Sequence, residues 1–589
     1  MLKAAKDHGR PALATRSKKV KKREPKKTKL EKLGFAKSKV SAGELRRALK
    51  KADIHIKAHE WQKAMPYLLQ AWEAMPEDIH ILTLLSQGLV VTGVRDKAIE
   101  VLERTLLIHG ETIGIIGVMS DLALGLGMHD IAVKLGRKLV ELEPDNPSRY
   151  VNLATALGGL EQHDDAIAML QQVIPIFPNS ADLWNVLATQ VRIRDGHLAS
   201  VVFFEQALSL APDDFKILGN FSKSLNVMGE YERALQCNLR AIKATPDAPE
   251  VNLGASRGLF YKGEMEHAFD CYEYRLDKRR ANNQVQHYVH KVPRWNGENL
   301  KGKSLLIEAE QGIGDEVMWS NYLPFLYERA DKLYITCNTR LVSAFQRRFP
   351  DAFVESFFDR TIQNYRYRFF PKIQKLLTDR EVEIDYAVPM ATAPRFEWRT
   401  VEDVKMHDDG FLTPDLDLLS DFQSRLQAIS DKPKVAIAWR SGMVTWDREH
   451  VYATIKDLGP LLALGDQVDF VNIQYGEVAD ELAEVQKMYG VTIHNFDDVD
   501  LKMDIESNLA LMKACDLVIS SSSAPGQFAM AVGAPTLTMC GSRLWWDFGG
   551  RKKVGFAFES EIFDGNKETG WPEIIEGITA ATVERLGLS

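Results

Sequence analysis

An apolar run, Leu305-Leu306-Ile307, breaks into Gln311-Gly312-Ile313-Gly314 and then an acid, Asp315. Strand, glycine turn and helix start bring backbone close to a ligand at the carboxyl end of a strand. A carboxylate at the mouth of such a turn can serve as a general base, taking a proton from a hydroxyl as its oxygen attacks. Asp315 can equally be a helix N-cap, and the two roles are compatible. Further along, the apolar run 435–439 ends in Arg440-Ser441-Gly442, where Arg440 can meet a phosphate or carboxylate through two parallel hydrogen bonds. The run 516–520 passes into Ser521-Ser522-Ser523 ahead of Pro525. There, hydroxyls and backbone N–H groups would face an anion with a helix dipole behind them. Each of these turns is also readable as an ordinary polar connection; two in one stretch point to a nucleotide.

Three weaker signals lie nearby. Gln474-Tyr475-Gly476 closes another strand and could touch a base or ribose. Arg448, His450 and Tyr452 follow Arg440 in TWDREHVY, where a second cation could meet a carboxylate or diphosphate; a lone histidine is as often a surface or packing residue. Asp415-Leu416-Asp417 and Asp498-Val499-Asp500 imitate a metal-binding DxD pattern. Nothing else supports a metal, so both read as solvated loops, and neither metal nor cofactor is expected.

The elements that must position these residues alternate strand and helix from about 290 onward. Strands are expected at 333–337, 353–357, 385–389, 468–474 and 535–539, with helices at 341–349 and 501–514. Alternating βα order implies doubly wound parallel sheets. The chain pauses over 391–432, rich in Pro, Asp and Thr, so two Rossmann-like lobes are expected, 290–425 and 433–589. The basic and aromatic stretch 360–382 carries no assignable pattern.

Ahead of them runs a 34-residue period. Ala64, Ala98, Ala132, Ala166, Ala234 and Ala268 fall on it, with Ser200 in the missing place. A second small residue precedes each: Ala52, Ser86, Ser120, Ala154, Ala188, Ser222 and Ser256. Pro76, Pro144, Pro178, Pro212 and Pro246 mark the turns between helix pairs, with Gly110 standing where one more proline would fall. Length and pattern resemble the tetratricopeptide repeat. About seven repeats over 41–280 predict an α-solenoid with a groove for a protein segment, or else a purely architectural arm.

Composition bounds the rest. A chain of 589 residues is too long for one core. It is 45% hydrophobic and 26% charged, ordinary for a soluble globular protein. Cys237, Cys271, Cys337, Cys515 and Cys540 form no CxxC or Cys/His cluster, so buried thiols in a reducing cytoplasm are expected. No apolar run approaches the ~20 residues of a membrane span, and no secretory signal follows Met1. Net charge is −7, yet residues 1–40 hold fifteen Lys and Arg against Asp7, Glu24 and Glu31. That stretch reads as a disordered tail, solubilising or anion-touching. It has no interleaved aromatics for base stacking, and nucleic acid is not expected as a partner.

Trp295, Gly297, Leu300 and Gly302, followed by Glu310-Gln311-Gly312, Gly314-Asp315 and Tyr322-Leu323-Pro324, resemble bacterial proteins that join tetratricopeptide repeats to a heptosyltransferase-like glycosyltransferase domain. The second half is similar as well, through VAIAW and the stretch 517–535. The resemblance covers about 290–550. It implies a two-lobed GT-B fold, a nucleotide-sugar donor and Asp315 as the catalytic acid–base residue. Where heptosyltransferases carry Asp-Thr-Gly this chain has Ser522-Ser523-Ala524, and where they carry a histidine it has Gln527, which argues against an ADP-heptose donor. Flagellin glycosyltransferases that use nonulosonic acids such as pseudaminic acid are similar in pairing repeats with such a domain. The expectation is therefore a cytoplasmic protein O-glycosyltransferase. Donor contacts are expected from Arg440, Ser441, Gly442, Gln474, Ser521, Ser522, Ser523 and Gln527, and a flagellin-like acceptor is expected on the repeats. The rival readings are a lipid or polysaccharide acceptor, and a scaffold whose transferase-like domain is inactive.

Overall fold

The computed structural model describes residues 41–57, 61–92, 94–280, 285–362, 365–442, 449–565 and 570–589. The basic tail 1–40 and Arg448 lie outside them. The chain divides into two compact units, Met1–Leu126 and Gly127–Ser589.

The described part of the first unit consists of helices α1 (Ala42–Lys57), α2 (Trp61–Ala74), α3 (Ile79–Val91), α4 (Arg95–His109) and α5 (Ile113–Gly125). The second unit opens with α6 (His129–Leu142), α7 (Pro147–Gly159), α8 (His163–Val173), α9 (Ala181–Asp195), α10 (His197–Leu210), α11 (Phe215–Val227), α12 (Tyr231–Ala244), α13 (Pro249–Lys262) and α14 (Met265–Tyr272). From α2 onward the starts of alternate helices fall one 34-residue period apart. The turn residues explain the punctuation. Asp78, Asn146 and Asp214 cap α3, α7 and α11 by accepting hydrogen bonds from Ile81 N (3.0 Å), Ser148 N (3.1 Å) and Lys216 N (2.9 Å). The small residues on the period are all buried in both units, and a bulkier side chain at any of them would force the paired helices apart.

The described residues of the rest of the second unit form three sheets. Its elements are β1 (Gln286–Tyr288), β2 (Ser304–Glu308), α15 (Ile313–Trp319), α16 (Leu323–Tyr327), β3 (Lys332–Cys337), α17 (Val342–Arg348), β4 (Phe353–Ser356), β5 (Phe358–Ile362), β6 (Tyr365–Phe369), α18 (Pro371–Thr378) and β7 (Tyr386–Pro389). There follow α19 (Leu416–Gln427), β8 (Lys434–Ala438), α20 (Gly459–Leu462), β9 (Asp469–Asn472), α21 (Ala479–Tyr489), β10 (Ile493–His494), α22 (Ile505–Ala514), β11 (Leu517–Ser521), α23 (Ala524–Ala531), β12 (Thr536–Cys540), β13 (Ser560–Asp564) and α24 (Trp571–Leu586). One sheet has the order β4-β3-β2-β7 and another β10-β9-β8-β11-β12-β13, every pair in both being parallel. β8, β11 and β12 are buried along their whole length, which is why they read as unbroken apolar runs.

Two stretches depart from the sequence reading. The supposed pause over 391–432 contains α19, whose start is fixed by Asp415 accepting from Asp417 N (3.0 Å) and Leu418 N (3.1 Å), and which buries Phe422 and Leu426. The unassigned stretch 360–382 enters the third sheet, β1-β6-β5, and then α18. In β6 the alternation Tyr-Arg-Tyr-Arg-Phe sets rings on one face and guanidinium groups on the other, a period-2 pattern disguised by its polarity.

The end of the array is built into this region. Phe260, Phe269 and Tyr272 of α13–α14 meet Trp319 of α15 together with Trp545 and Phe548, with ring centroids between 4.9 and 6.2 Å apart. All five cysteines are buried, and none is in a disulfide. Among the described residues no helix is long and apolar enough to cross a membrane.

Candidate functional site

The glycine turn sits at the carboxyl end of β2. Gly312 is the N-cap of α15, so Asp315 is the third residue of the helix and not its cap. A Cβ added to Gly312 would lie 3.1 Å from Asp315 Oδ2, so the exposed carboxylate folds back over the turn.

Buried charge surrounds this turn. Arg275, just past α14, ion-pairs with Glu310 (2.9 Å) and Glu273 (2.8 Å) and donates to Thr392 Oγ1 (3.0 Å). Ala391 N also donates to Glu310 (2.9 Å). Glu308 holds His290 (2.5 Å) and Arg294 (3.3 Å). Arg368, on β6, donates to the carbonyls of Ala309 (2.9 Å) and Glu310 (2.6 Å) and pairs with Asp359 (2.8 Å). Glu316 accepts from Asn338 N (2.7 Å), but burial pushes its carboxyl up to about 8, so it keeps its proton at neutral pH. Sequence reasoning passed over Arg275, Arg368 and Glu316 in these roles. Arg275 lies in YEYRLDKRR and Arg368 in YRYRFF, stretches whose charge density looks solvated.

In the six-stranded sheet the chain order reverses between β8 and β11, the place where open α/β sheets leave a crevice outside the strand ends. Arg440-Ser441-Gly442 and Ser522-Ser523 flank it. The β8 side is internally satisfied. Gln474 is buried and accepts from Trp439 N (3.1 Å) and Arg440 N (2.9 Å). Tyr475 Oη accepts from Gly442 N (3.0 Å) and lies 3.5 Å from Ser441 Oγ. Arg440 turns toward α21, pairing with Glu481 (Nε to Oε1, 3.1 Å) and donating to Glu477 O (3.0 Å).

The β11 side is less committed. Ser521 Oγ and Ser523 Oγ lie 3.0 Å apart, and Ser522 N donates to Met539 O (3.0 Å). Ser523 is the N-cap of α23, yet its side chain makes no capping bond, so the N–H groups of Ala524 and Gly526 have no acceptor within the helix. Gln527 is buried with its Oε1 lacking a hydrogen-bond partner.

The two helix starts meet. A Cβ on Gly314 would lie 3.5 Å from Ala524 Cα and 3.6 Å from its Cβ. The structure thus brings Gly314, the residue before Asp315, against the start of α23 at the serine turn. His450 and Tyr452 stand apart, beside the carboxyl end of β12, where Gly541 N donates to Val451 O (3.0 Å). With Trp571 and with His197 of α10 they line a cavity of about 530 Å³. The two DxD look-alikes have other work: Asp415 caps α19, Asp498 pairs with Arg425 (2.6 Å), and Asp500 accepts from Lys502 N (3.0 Å).

The tetratricopeptide repeat family matches residues 123–189. That match and the helix period make the helical half a tetratricopeptide array, followed by a region of parallel sheets. Protein FlbA of Caulobacter vibrioides is 32% identical over 262 residues, 44% of this chain and 42% of that protein, so the chain spans less than half the length of the curated relative it matches. Among solved structures, a thermophilic tetratricopeptide-repeat protein of Thermus thermophilus is 20% identical and is covered over 99% of its length by 31% of this chain, with a TM-score of 0.29. A tetratricopeptide repeat protein of Parabacteroides merdae is 15% identical, covered over 98% by 41% of this chain, with a TM-score of 0.32.

Proposed function

We propose that this chain is a cytoplasmic glycosyltransferase of the two-lobed GT-B kind. It moves a sugar, a nonulosonic acid in the sharpest form of the reading, from a nucleotide-sugar donor to Ser or Thr hydroxyls of a repeat-bound protein such as flagellin. The observation that carries the reading is the approach of Gly314, the neighbour of the exposed Asp315, to Ala524 at the start of α23. The six-stranded order is that of doubly wound Rossmann-like sheets, which hold nucleotides at the point of reversal. The repeats supply the kind of surface that usually engages proteins.

In this account the donor phosphate rests against Ser522, Ser523 and the free N–H groups of α23, and Gln527 contacts the donor. The acceptor oxygen attacks the anomeric carbon as the bond from that carbon to the phosphate oxygen breaks. Asp315 takes the hydroxyl proton, and the nucleotide leaves with the bonding pair, its charge met by the helix dipole. Buried charge around Glu308 and Glu310 fixes the turn that presents Asp315.

One observation favours a non-catalytic scaffold: Arg440 and Gln474 are engaged within the protein. Incubating the full chain with flagellin from the same cell and a panel of nucleotide sugars, then weighing the flagellin intact, separates the readings. A gain equal to one sugar residue per site is expected. No gain with any donor overturns the transferase.

A further inference from the structure

The cavity of about 530 Å³ beside the carboxyl end of β12 takes none of its lining from the glycine turn or the serine turn. Its size falls within the ordinary range of small-molecule sites. His197 lines it from the start of α10, His450, Tyr452, Thr454 and Asp457 from the segment 450–457, and Trp571 from the start of α24.

The walls are fixed by packing and hydrogen bonds. Tyr452, Ala453 and Ile455 are all buried, the last two in the core of the six-stranded sheet, so the segment 450–457 is pinned along its length. Asp457 accepts from Thr454 N (2.7 Å) and Thr454 Oγ1 (2.6 Å), closing a turn through Oδ2 and leaving Oδ1 outside it. Gly541 admits the segment: a Cβ there would collide with His450 O and lie 3.1 Å from Trp571 Cζ2, so only glycine lets that backbone and the indole come so close. On the array side, Tyr231 Oη of α12 accepts from Arg543 N (2.7 Å), and the Arg543 guanidinium lies 3.7 Å from the centre of the Tyr261 ring on α13. These contacts tie the repeats to the segment after β12.

The lining restricts what can fill this space. Indole and phenol rings offer flat apolar faces with polar edges. A hydrocarbon guest would cover those faces but strip water from a carboxylate and two imidazoles without replacing its hydrogen bonds. An anion would meet the Asp457 carboxylate, and no Lys or Arg is among the described residues that line the cavity. A neutral sugar ring satisfies both demands. Its C–H faces lie against aromatic rings. Its hydroxyls donate to a carboxylate and exchange hydrogen bonds with neutral imidazoles, each of which carries one donor and one acceptor.

We propose that this cavity binds a neutral saccharide of one or two rings, stacked on Trp571 and Tyr452 and hydrogen-bonded to Asp457, His197 and His450. The site is separate from the one assigned above to the donor, and binding here requires neither a nucleotide nor transfer.

Saturation-transfer NMR on the full chain tests this. The neutral probes are methyl β-glucoside, methyl β-galactoside, methyl α-mannoside, cellobiose and N-acetylglucosamine; N-acetylneuraminic acid is the acidic probe and p-cresol the apolar one. At least one neutral saccharide binds, at about 1–10 mM, and more tightly than N-acetylneuraminic acid. Trp571→Ala and His197→Ala each weaken that binding by about fivefold or more, while Lys487→Gln on α21 leaves it unchanged. Where a variant fails to fold, the order of the probes on the unaltered chain decides the matter without it. No response from any neutral saccharide, tighter binding of N-acetylneuraminic acid, or undiminished binding by a folded variant overturns the inference. Because no nucleotide is present, failure here leaves the transferase reading standing, and failure of transfer leaves this binding standing.

Discussion

At the end of β2 stand three buried glutamates: Glu308 is met by His290 and Arg294, Glu310 by Arg275, and Glu316 by Asn338 N. At the end of β11 stand three serines, with two helix N–H groups and one glutamine oxygen left unanswered. Both places are strand-to-helix turns of parallel sheets, and their first helical turns touch. The first spends its charges on internal pairing and presents one exposed acid. The second holds no charge and keeps two helix N–H groups unspent. A site that must both remove a proton and receive an anion gains from that division, because an acid among the serines would repel the leaving group.

The comparison can be broken from either side. The largest effect is expected from Asp315→Asn, which should lower the transfer rate by about 10²–10⁴-fold while leaving the melting curve in place. A rate within threefold of the unaltered chain would remove Asp315 from the chemistry. Arg275→Met strands Glu310 and Glu273 without their cation, and denaturant unfolding should show a loss of about 3–5 kcal/mol. A loss below about 1 kcal/mol would mean the network is decoration.

Gly314 sharpens the contact between the turns. A Cβ there meets Ala524 at ordinary van der Waals distance, so Gly314→Ala should be tolerated. Gly314→Leu must wedge α15 from α23, costing about 1–3 kcal/mol and impairing transfer. Equal behaviour of the two variants would show that the helix starts need not touch.

The smallest effect concerns pH. Glu316 titrates near 8 in the folded chain, above its ordinary range, so the folded form keeps a proton that the unfolded form releases. Its contribution is intact below about pH 4.5 and is lost as pH rises toward 8. Glu316→Gln, which cannot ionise, should gain on the unaltered chain by about 1 kcal/mol or more at pH 8 and by nothing at pH 4. Urea titrations at the two pH values check this, and a constant difference would place the burial penalty elsewhere.

Much of this molecule is legible in its sequence, for identifiable reasons. Ala132, Ser200 and Ala234 announce the repeats because close helix packing tolerates only small side chains at those points. β8 and β11 announce themselves because strands buried on both faces must be apolar throughout. The turns at 312–314 and Ser521-Ser522-Ser523 can be picked out as strand-to-helix turns because each follows an apolar run and precedes a helix start. What stays hidden is pairing. Arg275 and Arg368 look like surface charges until the fold supplies Glu310 and the Ala309 carbonyl. Arg440 reads as an anion ligand because nothing local reveals that Glu481, 41 residues away on α21, is its partner. β5 and β6 escape notice because a half-exposed sheet with arginines on one face lacks the apolar alternation that marks a strand.

The division between the two turns is tested most directly by calorimetric titration of ADP, UDP, GDP and CMP into the unaltered chain and into Ser523→Asp. One nucleotide should bind the unaltered chain, and the added carboxylate at the start of α23 should weaken it by about tenfold or more while the fold is kept. Binding of none of the four, or equal binding to both proteins, would contradict the assignment of the serine turn to the donor.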